Sequence, residues 1–101
     1  MSPLPDLVLY ARPECSLCEE AREAIRLVIE DRAGRGLAVP HVVEHDIDAD
    51  DDLQRSLLDR IPVVVLGDRR VELVVTVGKL RRLLAEVMGD QAMEPTRAPW
   101  T

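Results

Sequence analysis

Aromatic side chains are almost absent from this 101-residue chain, which has one tyrosine, one tryptophan and no phenylalanine. Its core must therefore be built from aliphatic residues, mainly valine, leucine, isoleucine and alanine. Positively charged residues are also fewer than negatively charged ones. The chain has 13 Lys and Arg and 19 Asp and Glu, which gives a formal net charge of −6. This balance argues against binding to nucleic acid, which depends on clustered Lys and Arg.

Long hydrophobic runs are lacking as well. No apolar stretch approaches the roughly 20 residues that a membrane-spanning helix needs, and residues 1–6 have neither the basic nor the apolar region of a signal peptide. We therefore expect a cytoplasmic protein that does not bind membranes. A chain of this length buries roughly 60–65% of its unfolded surface, which is enough for one core without a disulfide or metal to hold it together.

The first half of the chain has the pattern of a β-α-β unit followed by a second helix. A short apolar run predicts a strand at residues 7–10, and an apolar stripe of helical period predicts a helix that ends at Gly34 in the left-handed conformation open to glycine. β-branched residues predict a second strand at residues 39–47. Asp48 or Asp50 is expected to cap a short second helix.

The second half predicts a hairpin and a last helix. Two apolar runs, residues 61–66 and 71–75, flank a glycine-containing connection and indicate two antiparallel strands. The following apolar stripe of helical period predicts a helix with Thr76 as its cap and Gly89 as its end. The order β-α-β-α-β-β-α gives an α/β fold with a mixed four-stranded sheet flanked by helices, because a β-α-β unit pairs its strands in parallel.

One domain is expected over residues 1–89. Residues 90–101 contain two prolines and no hydrophobic periodicity, so we expect a flexible tail that carries Trp100.

The two cysteines form a C-x-x-C motif where the first strand gives way to the first helix. Cys15 is placed at the helix N-terminus, where unpaired N–H groups and the helix dipole stabilise a thiolate. Cys18 lies on the inward face of the helix, less exposed and within disulfide reach. This arrangement suits a nucleophilic Cys15 and a resolving Cys18 in thiol-disulfide exchange. Among neighbouring charges Arg12 favours the thiolate, whereas nearby glutamates oppose it.

The motif and its surroundings resemble the active-site region of glutaredoxin-like proteins of the thioredoxin superfamily, in particular the small bacterial ones. The similarity covers about residues 7–88 and is carried by residues 9–21, by 44–48 and by 60–63. It implies a thioredoxin-like fold of glutaredoxin type and a thiol-disulfide oxidoreductase with Cys15 as nucleophile and Cys18 as resolving cysteine.

The same resemblance makes Pro62 the cis-proline beside the thiols, with the Ile61 backbone turned toward a bound peptide or thiol tripeptide. Tyr10, at the end of the first strand, and Arg12, between that strand and Cys15, complete the candidate substrate-binding residues. Protein disulfides or low-molecular-weight thiols are the expected partners, and we expect a monomer. Residues 74–79 lack the Gly-Gly pair and acidic residue of glutathione-using glutaredoxins. No cofactor is therefore expected, and glutathione or another small thiol stays an alternative.

Two other functions stay open at this point. Cys15, Cys18, His41 and His45 offer two sulfur and two nitrogen ligands of the kind that bind zinc. The two histidines would, however, lie roughly 13 Å apart if residues 39–47 form a strand. The other alternative is a redox-silent thioredoxin-fold module that docks a protein beside Pro62.

Overall fold

The computed structural model describes residues 5–89, and the predicted order of strands and helices is confirmed. Residues 90–101, including Trp100, lie outside the described part, so the flexible tail stays a prediction. The elements are β1 (Leu7–Ala11), α1 (Ser16–Gly34), β2 (Val42–Asp46), a 3-10 turn (Ile47–Ala49), α2 (Asp51–Leu57), β3 (Val63–Leu66), β4 (Arg69–Glu72) and α3 (Val77–Met88). Within residues 5–89, no helix is long and apolar enough to span a bilayer.

The four strands form one mixed sheet in the order β2-β1-β3-β4. β1 pairs with β2 in parallel and with β3 in antiparallel orientation, and β3 pairs with β4 in antiparallel orientation. The sheet predicted from the sequence is therefore confirmed. β2 and β4 are its edges.

The two faces of the sheet are covered by different helices. Side chains alternate along a strand, and in β1 Leu7, Leu9 and Ala11 are buried while the residues between them are half-buried. Leu9 lies with Ile25 and Ile29 of α1, and α1 packs against α3 on this face. Tyr10 faces the other way and lies with residues of α2.

The hairpin is confirmed, but its connection and the bounds of its strands differ from the prediction. Its connection is only Gly67-Asp68, because Arg69 already pairs with Leu66 and β4 ends at Glu72 instead of residue 75. Gly67 takes a φ of 62°, a conformation that suits a two-residue hairpin turn. Leu73, with a φ of 67°, ends the strand. β3 begins only at Val63 because Pro62 has no N–H to give to a sheet.

The other boundaries follow local chemistry. Thr76 caps α3 by accepting a hydrogen bond from the Lys79 amide at 3.1 Å, and Gly89 ends the helix, both as predicted. α1 does end at Gly34, but the left-handed glycine is Gly36, with a φ of 73°. β2 covers only residues 42–46 of the predicted 39–47.

Several connections meet at one end of the sheet. The parallel strands β1 and β2 both finish there, at Ala11 and Asp46, and the antiparallel pairing of β3 makes Val63 its first residue at the same end. β4 finishes there opposite Val63, and α3 begins five residues later. We call this end, with the loops of residues 12–15, 47–50, 60–62 and 73–76, the loop end of the sheet.

Candidate active site

Cys15 is the N-cap of α1 at the loop end of the sheet. Its backbone is extended, with φ −123° and ψ 110°, and its sulfur accepts a hydrogen bond from the amide of Cys18 at 3.1 Å. The unpaired amides of a first helical turn need acceptors, and here a sulfur replaces the usual hydroxyl or carboxylate oxygen. The sulfur of Cys15 therefore lies at the positive end of the helix dipole.

Cys15 and Cys18 form a disulfide across a Cα–Cα distance of 5.2 Å. Cys18 is completely buried in the core, whereas Cys15 is half-buried. The helical spacing predicted this difference. An external thiol or disulfide would therefore reach the sulfur of Cys15 first, while Cys18 can react only with its neighbour.

Two residues with unusual backbone conformation border the site. Within residues 5–89, Glu14 and Leu73 are the non-glycine residues with a positive φ, at 57° and 67°. Glu14 immediately precedes Cys15 and sets the direction in which the chain enters α1. A positive φ is uncommon for residues with a side chain, and nothing in the sequence indicated it at either position.

The segment before β3 also lies at the loop end. The Ile61–Pro62 peptide bond is cis, and both residues are buried. The amide of Ile61 donates to the Leu57 carbonyl at 3.1 Å, and the carbonyl of Pro62 accepts from the Leu73 amide at 2.9 Å. Hydrogen bonds from both directions thus hold this segment in place.

Arg12 and Tyr10 have partners outside the disulfide. The guanidinium of Arg12 forms an ion pair with Asp48 at 3.3 Å, which ties the loop after β1 to the loop after β2. The ring of Tyr10 stacks on His45 with ring centroids 5.5 Å apart, on the face covered by α2. The substrate-binding roles of Arg12 and Tyr10 stay predictions.

The structure does not bring the four possible zinc ligands together. The cysteines bond to each other, and His45 stacks on Tyr10. His41 precedes β2 at the opposite end of that strand, with its Nδ1 3.8 Å from a carboxylate oxygen of Asp6. In the described part of the chain, no group of three or more His, Cys, Asp or Glu side chains is arranged to hold a metal ion.

Near the motif, an ion pair connects α1 to the edge strand β2. Arg22, one helical turn after Cys18, binds the Glu44 carboxylate of β2 with two nitrogens, at 2.7 to 3.0 Å. The hydrogen bonds that Arg22 donates to Glu44 raise the pKa of Arg22 above its ordinary value. This pair links α1 to the edge strand β2.

Exposed apolar side chains accompany the site. Leu17, between the two cysteines, is 41% exposed, and Leu73 and Val74 of the last loop are 45% and 51% exposed. Apolar side chains of this size are usually buried. The loop end thus combines a disulfide with one half-buried sulfur and exposed apolar side chains nearby.

Solved structures with the same fold come from several organisms. A structural-genomics protein from X. campestris shares 28% identity and a TM-score of 0.61, over 79% of this chain and 96% of its own. A Nitrosomonas europaea protein solved by NMR shares 26% identity and a TM-score of 0.55, over 88% and 92%. Deadhead, a germline-specific thioredoxin from Drosophila melanogaster, shares only 17% identity at a TM-score of 0.56, over 84% and 82%, and indicates the fold alone.

The fold is therefore thioredoxin-like, as the resemblance implied. No curated protein matches the chain. The model of the family described as Glutaredoxin-like domain (DUF836), in contrast, matches residues 6–90, which include the C-x-x-C motif, the cis-proline segment and all four strands. On that match, the chain belongs to the glutaredoxin-like domain family.

Proposed function

We propose that the protein is a thiol-disulfide oxidoreductase that works as a monomer in the cytoplasm through the Cys15–Cys18 couple. One observation carries the proposal: the more accessible of two bonded cysteines caps the N-terminus of a helix, and its partner is buried directly behind it. Structural disulfides are uncommon in reducing compartments, where such pairs are more often catalytic. Family membership is consistent with this chemistry.

The reaction begins with the reduced protein. The Cys15 thiolate attacks one sulfur of a substrate disulfide, and that bond breaks to release a first substrate thiolate, which takes up a proton. The deprotonated Cys18 then attacks the Cys15 sulfur of the mixed disulfide and releases the second substrate thiol. The substrate gains two electrons and two protons, and the protein is left with its Cys15–Cys18 disulfide. A thiol or dithiol donor returns it to the reduced form.

The helix N-terminus assists the step at Cys15. The Cys18 amide already points at the Cys15 sulfur, and a charged sulfur accepts a stronger hydrogen bond than a neutral one. The same dipole that favours the attacking thiolate also favours Cys15 as a leaving group. The fold therefore supports electron flow in either direction.

Substrate is proposed to lie along the loop end of the sheet. The amide of Ile61 is occupied by Leu57, so a bound peptide would pair with the carbonyl of Ile61 and cover Pro62. Tyr10 of β1 and Arg12 of the loop that follows β1 are proposed to border this position. Protein disulfides or low-molecular-weight thiols are the substrates, and no cofactor is required, since both electrons reside in the cysteine pair.

The test is a redox titration of metal-free protein in dithiothreitol buffers, followed by alkylation of free thiols and mass spectrometry. A working dithiol couple gives a reversible two-electron transition between about −200 and −270 mV. In the reduced protein, Cys15 should be alkylated faster than Cys18. Thiols that never close into a disulfide would overturn the proposal and favour a redox-silent docking module.

A further inference from the structure

Charge is divided between two parts of this acidic chain. Residues 41–59 contain seven Asp and Glu and one arginine. Residues 60–89 contain six Lys and Arg and three Asp and Glu. The second group belongs to β3, β4, α3 and their loops, so the β4 edge of the sheet and the adjoining helix are basic although the whole protein is not.

Several of these cations surround one hollow between β4 and α3. Arg69, Arg70, Lys79 and Arg82 line it, and among the described residues that line it Glu86 is the one carboxylate. Val71 and Leu83 supply apolar surface within it, and its volume is about 180 Å³. We call these residues the basic hollow.

Some cations of the basic hollow form ion pairs with carboxylates and others do not. Arg69 binds Glu86 at 2.5 Å, and Arg70 binds Glu72 at 2.7 Å. The ammonium of Lys79 donates only to the Val74 carbonyl, at 2.9 Å. Among the residues that the structure describes, neither Lys79 nor Arg82 has a carboxylate within ion-pair distance. Two positive charges are thus available to an external acid.

The basic hollow reaches the loop end of the sheet. Lys79 lies in the first turn of α3, and its ammonium holds the carbonyl of Val74 in the last loop. The neighbouring residue of that loop is Leu73, and its amide donates a hydrogen bond to the carbonyl of Pro62. A partner lying in the hollow would therefore extend toward the proposed substrate position without occupying it.

We propose that the basic hollow docks an acidic segment of a redox partner protein, an inference that rests on the proposed thiol-disulfide activity. Carboxylates of the segment would bind Lys79 and Arg82, and apolar side chains would contact Val71 and Leu83. A protein segment fits better than a compact anion, because the cations are spread along a strand and a helix and the hollow is open and partly apolar. The net charge of −6 repels an acidic partner except in the orientation that presents this surface.

Designed peptides can test this docking. A 12-residue peptide with four glutamates and two leucines is compared with one in which lysines replace the glutamates. Cysteine-free versions report binding by fluorescence anisotropy, and versions with an internal disulfide report reduction. The acidic peptide should bind about tenfold more tightly than the basic one at low ionic strength, and 0.5 M NaCl should remove most of that difference because exposed charges are screened.

Matched variants locate the surface. The double variant Lys79→Glu/Arg82→Glu should lose at least about tenfold in affinity for the acidic peptide. The control double variant, Arg55→Glu/Arg35→Glu, changes the net charge by the same amount. Arg55 belongs to α2 and Arg35 follows α1, so neither residue lies in the basic hollow. This control should change the affinity for the acidic peptide less than about twofold. Circular dichroism verifies that both variants fold.

Three results would overturn the docking proposal: equal affinity for both peptides, equal losses in the two double variants, or inorganic polyphosphate that binds more tightly than the acidic peptide. Failure of the proposed function looks different. In that case neither disulfide peptide is reduced, while the acidic cysteine-free peptide still binds and still responds to Lys79 and Arg82.

Discussion

The amide of Cys18 donates its hydrogen bond to the sulfur of Cys15, so one atom both caps α1 and carries the proposed chemistry. The two roles can be separated by substitution, because serine can replace the sulfur as a cap without replacing it as a nucleophile of disulfides.

Cys15→Ser should abolish disulfide reduction and leave the fold intact. Serine is a preferred N-cap residue, so the melting temperature should match that of reduced wild-type protein to within a few degrees, which differential scanning calorimetry would measure. Cys18→Ser is the paired variant. It keeps the nucleophile and should accumulate a mixed disulfide with substrate, visible as added mass. Residual turnover by Cys15→Ser would show that Cys15 is not the nucleophile.

Glu14→Gly should stabilise the protein. Glu14 has a φ of 57°, and the left-handed conformation costs a residue with a side chain roughly 1 kcal/mol or more, a cost that glycine avoids. Urea denaturation should show a free energy of unfolding higher by up to about 1 kcal/mol. In Glu20→Gly the same change lies in the body of α1 and should lower that free energy by about 1 kcal/mol. Equal signs for the two variants would contradict the backbone explanation.

Whether a feature of this fold could be predicted from the sequence depends on how far apart in the chain the interacting residues lie. Thr76 and Gly89 bound α3 as predicted because a cap is made by residues within one turn of the helix end. The placement of Cys15 and Cys18 was predictable for the same reason. The positive φ of Leu73 was not, because the Leu73 amide donates to the carbonyls of Arg60 and Pro62, which lie on the far side of the β3–β4 hairpin in the chain.

Arg32 shows the same limit in the core. It lies on the buried face of α1, one turn after Val28, but a charged side chain gave no sign that its guanidinium would lie inside. The guanidinium donates to the carbonyls of Ala38 at 2.9 Å and Gly89 at 3.2 Å. Gly89 lies 57 residues further along the chain. A pattern of helical period cannot predict a hydrogen bond of that separation.

Arg32→Met should destabilise the protein by about 2–3 kcal/mol, because two carbonyls beside the ends of α1 and α3 lose their donor. Guanidinium chloride denaturation measures the loss. Arg35→Met is the matched control: that side chain is 64% exposed and forms an ion pair with Asp31, so its substitution should change stability by less than about 0.5 kcal/mol. A similar loss in both variants would mean that the buried hydrogen bonds of Arg32 are not its contribution.

Arg26→Gln should lower the stability of the fold at neutral pH but not in acid. The Arg26 guanidinium binds Glu23 and, at 2.8 Å, Glu30, and its hydrogen bond holds the pKa of Glu23 below the ordinary value of 4.5. A carboxylate whose pKa is lowered by folding stabilises the protein fully above its unfolded pKa, and this contribution is lost as the pH falls through the folded pKa. The melting temperature of Arg26→Gln should therefore lie slightly below that of wild type at pH 7. The two melting temperatures should converge by about pH 3 or in 1 M NaCl, where exposed ion pairs are screened.

The control variant is Arg81→Gln, at a position with no carboxylate partner among residues 5–89, and it should show no such convergence. A difference for Arg26→Gln that persists in acid would assign the effect to helix propensity or packing, because glutamine and arginine would then differ without any ion pair to lose.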